Sequence, residues 1–161
     1  MSSTFGFMIG DELKDDDYMT PKCVWESIKH LIPPNKVIWE AFWGDGKSGE
    51  YLRELGFDVI HEPIDFFKSN KGDIVVSNPP FTKKMQVLKR LKELEKPFML
   101  ILPANTLGTK TLQETFGNDI QVIIPKGRIS YIKKGKQTDA VWFASFIYCY
   151  KCNLPRDLVF L

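Results

Sequence analysis

The sequence predicts an α/β fold: one Rossmann-like domain whose mostly parallel sheet carries helices on both faces and an antiparallel hairpin at its C-terminal end. Three observations carry that expectation. Short apolar runs at residues 37–42, 73–77, 98–102 and 121–124 recur along the chain, with helical stretches between them. A strand that is apolar continuously, and not at every second residue, is buried on both faces, which is the environment of a parallel sheet. A tight turn, Gly44-Asp45-Gly46, also joins one such run directly to a helix, and doubly wound sheets bind ligands at such strand ends.

The chain has 161 residues, 43% hydrophobic and 26% charged, with a net charge of +2. That is enough for one domain with a real core, and no repeat or linker divides it. Residues 1–17, with the acidic run Asp15-Asp16-Asp17, read as an exposed lead-in. A helix is expected after Thr20, a suitable N-cap, with Pro21 at the first helical position and an end at Pro33-Pro34. Then come a strand at 37–42, a helix at 48–55 closed by Gly56, and a strand at 57–60. The buried strand 73–77 precedes an amphipathic helix at 83–94, in which Met85, Leu88 and Leu91 share a face. A strand at 98–102, a helix at 110–116 and a strand at 121–124 follow. Residues 128–133 and 140–150 read as extended segments around a Lys-rich turn at Gly135, the antiparallel addition.

Composition bounds the setting. No apolar run approaches the ~20 residues that span a bilayer, and no signal-peptide core is evident. Three cysteines, Cys23, Cys149 and Cys152, make no disulfide framework, so a reducing cytoplasm is expected. Cys149 and Cys152 lack the partners that a four-ligand zinc site needs, so no metal is expected.

Two chemistries compete for the glycine turn. Ala41 to Ser48 fits a relaxed phosphate-binding loop, with Lys47 and Ser48 as phosphate and magnesium ligands, which would suit a nucleotide kinase. Yet the first glycine of that motif is replaced by Ala41, and Glu40 precedes it. An acid there repels a triphosphate but accepts hydrogen bonds from a cationic amino-acid group. The strand at 73–77 also runs into Asn78, where a kinase would place the Asp that holds magnesium.

Asn78-Pro79-Pro80-Phe81 follows that strand directly. The exocyclic amine of adenine is a poor nucleophile because its lone pair is delocalised into the ring. An amide oxygen from Asn78 and the carbonyl of Pro79 can accept its two N–H bonds and aim the lone pair at a methyl donor. Pro79 and Pro80 fix the backbone in advance. Phe81 offers a face on which an extruded base can stack.

This motif resembles that of the amino-methyltransferases, and its surroundings resemble the small phage-type DNA adenine methyltransferases. Tyr18-Met19-Thr20-Pro21 is similar to the segment ahead of their first strand, and residues 40–46 to their cofactor loop. Asp65-Phe66-Phe67 is similar to the segment that reads the cofactor's adenine. Residues 127–131 with 142–150 are similar to their final hairpin. The resemblance implies S-adenosyl-L-methionine as cofactor, held by Tyr18, Thr20, Pro21, Glu40, Phe42, Gly44, Gly46, Asp65 and Phe66. Glu62 is the candidate for the ribose acid, although it lies very close to Asp65. It implies site-specific methylation of adenine in DNA. RNA adenine or a protein glutamine amide is the alternative substrate of the same site, and a catalytically silent binding module the alternative role. A phage or viral origin would place it in the host cytoplasm.

Lys126, Arg128, Lys133, Lys134 and Lys136 interleave with Tyr131 in the expected hairpin, a pattern suited to nucleic-acid phosphates beside a flipped base; a solvated charged turn is the plainer alternative. No separate target-recognition domain fits after Phe81. Sequence preference is then weak, or comes from surface loops, a second copy in a homodimer, or a partner subunit.

Overall fold

The computed structural model describes residues 18–133, 136–137 and 143–161. Its centre is a seven-stranded sheet in the order β2-β1-β3-β4-β8-β5-β9. The strands are β1 (Val37–Trp39), β2 (Asp58–Ile60), β3 (Ile74–Ser77), β4 (Phe98–Pro103), β5 (Ile120–Ile124), β8 (Ser145–Tyr150) and β9 (Leu158–Phe160). A separate antiparallel pair joins β6 (Ile132–Lys133) to β7 (Lys136–Gln137). The helices are α1 (Lys22–Ile28), α2 (Lys47–Glu54), α3 (Lys84–Glu93) and α4 (Lys110–Thr115).

The α/β class follows from burial on both faces. Successive side chains of a strand point to opposite sides. Thus Trp39, Val75, Phe98 and Leu100 join Val87, Leu88 and Leu91 of α3 and Leu112 of α4 in one core. Ile38, Ile74, Val76 and Met99 face the other way, onto Trp25 and Ile28 of α1 and Leu52 of α2. With both faces covered, the strands have no polar side to show, and their apolar runs are continuous.

The chain steps from β1 outward to β2 and returns to the other side of β1 as β3, all three parallel. The winding therefore reverses between β1 and β3. At such a reversal the two outgoing chains diverge and leave a crevice at the strand C-termini.

Three local expectations change. Pro21, with φ −70° and ψ 153°, takes the N-cap position of α1, so Thr20 is not its cap. The C-terminal segments do not form one hairpin. All of β8 except Phe146 is buried, so it needs a neighbour on each edge. It inserts antiparallel between β4 and β5, leaving the more polar β6 and β7 to pair by themselves. Lastly, β9 adds a parallel edge strand beside β5.

One close approach is exacting. Gly49 of α2 lies so near His61 that a β-carbon there would collide with the imidazole ring. Gly49→Ala is expected to destabilise the fold by about 1–3 kcal/mol, because the ring must leave its place. In urea denaturation, the double variant with His61→Ala should lose less stability than the two single losses added together.

Candidate ligand-binding cleft

A cleft opens at the β1/β3 reversal, lined by Tyr18, Met19, Thr20, Glu40, Phe42, Trp43, Gly44, Asp45, Ser48, Asn78 and Pro80. Its interior is about 30 Å³, room for a water or two. Residues 18–20 form a strap in its lining, across from the 40–45 turn. The strap is held by Met19 and Ile132, which exchange backbone hydrogen bonds of 2.8 Å each.

The turn is built from glycine conformations. Gly44 (φ 57°) and Gly46 (φ 82°) both take left-handed backbone, and the Gly46 N–H donates to the Trp43 carbonyl at 2.8 Å. Here the phosphate reading loses its donors. Asp45 Oδ1 accepts from the Lys47 backbone N–H at 3.0 Å, so a carboxylate sits where a phosphate oxygen would. Ser48 Oγ accepts from the Trp25 indole N–H at 3.2 Å. No Lys, Arg or His lines the cleft, whereas Glu40 and Asp45 both do.

Glu40 leaves the end of β1 only 1% exposed. Its Oε1 accepts from the Phe42 backbone N–H at 3.1 Å and from the Ser77 hydroxyl at the end of β3. It forms no ion pair among the described residues. Burial pushes its carboxyl up to about 8, more strongly than the Ser77 and Phe42 hydrogen bonds lower it. This is the state of a buried acid that lacks a cation.

Asn78 and Thr20 add unfilled valences. Asn78 Nδ2 donates to the Tyr18 carbonyl at 2.8 Å, which turns Oδ1 away as a buried acceptor without a partner. Thr20 Oγ1 is likewise buried and unpartnered. Thr20 can be so because Pro21, not Thr20, starts α1. Thr20 Oγ1 and Asn78 Oδ1 are thus two buried acceptors in one lining with the unpaired Glu40.

The other expected residues divide. Phe42 and Gly44 line the cleft, Gly46 is buried in the turn, and Pro79 and Pro80 are buried behind Asn78. Phe81 is half-buried, 6.1 Å from the nearly parallel ring of Tyr18 and 5.6 Å from Phe143. Glu62 is exposed just past β2. Asp65 Oδ1 accepts from the Phe67 backbone N–H at 2.9 Å, capping a short helical turn. Phe66 is a correction: fully buried, it packs on Trp39 and Phe42 and belongs to the core.

Of the expected nucleic-acid contacts, Lys126 and Arg128 are exposed. The Lys133 ammonium sits 4.6 Å over the Tyr18 ring. Lys136 lies in β7, and Lys134 falls outside the described residues. Tyr131 is a second correction. It is fully buried, with its hydroxyl 2.6 Å from Ser145 Oγ and its ring against Tyr18, Phe81 and Phe143, so it belongs to the packing beneath the surface. Cys149 and Cys152 are both buried thiols, and Cys152 Sγ donates to the Phe98 carbonyl. No group of three or more metal-ligating side chains occurs among the described residues.

Ser77 was not anticipated at the cleft. Ser77 carried a signal: it is the polar residue that closes an otherwise apolar buried strand, opposite the polar interruption at Glu40. Compared with known proteins, the chain matches no family model and no curated sequence significantly.

The Glu40 carboxyl makes stability depend on pH. The folded state holds its proton up to about 8, whereas the unfolded chain releases it near 4.5. Between those values the folded state binds more protons, so stability falls as pH rises, by at most about 1.4 kcal/mol per pH unit. Glu40→Gln keeps the acceptor for Phe42 and Ser77 without the ionisable group. Urea midpoints of the variant should hold level from about pH 5 to about pH 8, while those of the wild type decline.

Proposed function

We propose that this chain is a methyltransferase with a Rossmann-like fold that uses S-adenosyl-L-methionine to methylate the exocyclic amine of adenine in DNA. The observation that carries the reading is Asn78 Oδ1: a buried, unpartnered acceptor at the C-terminal end of β3, facing the cleft that Glu40 lines. Its carrier is the first residue of the Asn-Pro-Pro-Phe motif, whose resemblance to amino-methyltransferases gives the orphaned acceptor a chemical purpose.

The donor set suits the cofactor. S-adenosyl-L-methionine supplies a methyl group already activated by its sulfonium, so the protein needs no strongly tuned general base. Glu40 suits the cationic amino-acid part, and Glu62, exposed past β2 and outside the cleft lining, is the candidate for the ribose hydroxyls. Asp65 is half-buried and already caps a turn through Oδ1, so adenine reading falls to what remains of that carboxylate.

On the substrate side, Asn78 Oδ1 accepts one N–H of the amine and the Pro79 carbonyl the other. Pro79 and Pro80 hold both acceptors without ordering cost at the moment of reaction. Asn78 is itself positioned, because its Nδ2 is tied to the Tyr18 carbonyl. Phe81 and Tyr18 supply aromatic faces at the mouth, and the exposed Lys126 and Arg128 suit a phosphate backbone outside the cleft.

Asn78→Ala should lower labelled-methyl transfer to adenine-containing DNA by ~100-fold or more, the scale for losing one preorganised polar contact to a transition state. Affinity for S-adenosylhomocysteine, read by calorimetry, should stay nearly intact. RNA and a glutamine peptide run beside the DNA identify the substrate. Wild-type transfer by Asn78→Ala would reduce the motif to a structural turn. Glu62→Ala should weaken S-adenosylhomocysteine by about 1–3 kcal/mol if its carboxylate holds the ribose.

A further inference from the structure

The carboxyl of Glu40 is buried at the base of a cleft that contains no positive charge, and this has a consequence for whatever cation enters. The charged and titratable groups around it are few. Asp45, from the turn that follows β1, opposes its ionisation. Ser77, from β3, donates to Oε1, and Tyr18 lies in the strap across the cleft. Among the described residues no Lys, Arg or His lines the cleft, and the Lys133 ammonium lies 4.6 Å over the ring of Tyr18. An acid so placed remains neutral until a positive ligand arrives, because its ionised form would be desolvated, uncompensated and close to Asp45.

From this arrangement we infer that the cleft binds the ammonium of an amino-acid ligand together with the ionised form of Glu40, so that binding expels the Glu40 proton into solvent. The inference rests on the methyltransferase reading for the identity of the ligand. The balance is simple. Protonated Glu40 and a cationic ligand give a carboxylate–ammonium pair and one free proton, with no covalent bond of the ligand made or broken. The two existing hydrogen bonds, from Phe42 N–H and the Ser77 hydroxyl, already favour the carboxylate. The arriving ammonium adds the missing counter-charge, and Ser77 acts as a positioning residue that holds Oε1 between the ends of β1 and β3. The neutral unliganded state follows from the same geometry, with the carboxyl held up to about 8.

Proton linkage then makes affinity for a cationic ligand rise with pH, by about tenfold per pH unit below the Glu40 value, and level off above it. A neutral ligand of the same shape shows no such slope. The site thereby separates ligands by charge through a proton.

The test is calorimetry of the full chain with S-adenosylhomocysteine, which bears an ammonium, and with methylthioadenosine, which has the same nucleoside thioether but no amino acid. Each is titrated near pH 6.5 in buffers of differing ionisation enthalpy, which count the protons released. The expected result is about one proton released per S-adenosylhomocysteine and none with methylthioadenosine. Glu40→Gln should bind S-adenosylhomocysteine more weakly and release none. Wild-type binding of S-adenosylhomocysteine without proton release, or equal release from methylthioadenosine, overturns the inference and leaves the methyltransferase reading standing. No binding of S-adenosylhomocysteine from about pH 6 to about pH 9 overturns that reading, and this inference with it.

Discussion

The hydrogen bond from Ser77 to Glu40 joins the ends of the two central strands at the point where the winding of the sheet reverses. Around a reversal the outgoing chains would otherwise separate, and a buried acid between them would be intolerable without donors. Ser77 meets that need from β3, and the Phe42 N–H meets it from the chain that leaves β1. Folding back so that residue 42 can reach residue 40 commits the backbone to the tight turn at 43–46. That turn in turn sets the start of α2, which packs Leu52 into the core and presses Gly49 against His61. One buried carboxylate therefore links strand alignment, turn geometry and helix placement.

Buried polar atoms without a partner occur at Trp39, His61, Arg90 and Thr106 as well as in the cleft. Thr20 Oγ1 and Asn78 Oδ1 are both orphaned within the lining of one cleft, beside an acid without a cation. Each unsatisfied buried group costs about 1–3 kcal/mol, so the cleft is a net liability to the unliganded fold. The continuous apolar strands, covered on both faces, offset it.

How much of this was legible in the sequence depends on the kind of signal each residue carried. The strands were legible because burial on both faces imprints uninterrupted apolarity, as in residues 98–103. Glu40 and Asn78 were legible because polar residues at the ends of apolar runs have few structural uses. Phe66 and Tyr131 were not, since an aromatic side chain reads alike whether it fills a core or faces a ligand. The insertion of β8 between β4 and β5 was hidden too. Pairing with partners tens of residues away leaves no local pattern, and only the burial of nearly every residue in β8 pointed towards an interior strand. Thr20 failed for a subtler reason: a Thr-Pro pair at a helix start looks like a cap and its first residue, yet Pro21 with extended ψ serves as the boundary itself.

Charge is sorted sharply between the inside and the rim of the cleft. Two acids and no bases line it, while Lys126 and Arg128 stand exposed and Lys133 covers the Tyr18 ring. The strap makes these two regions mechanically continuous. Tyr18 meets Lys133 through its ring and Asn78 through its carbonyl, and Met19 is paired to Ile132 in β6. The strap thus ties the end of β3 to β6 through three contacts on two residues.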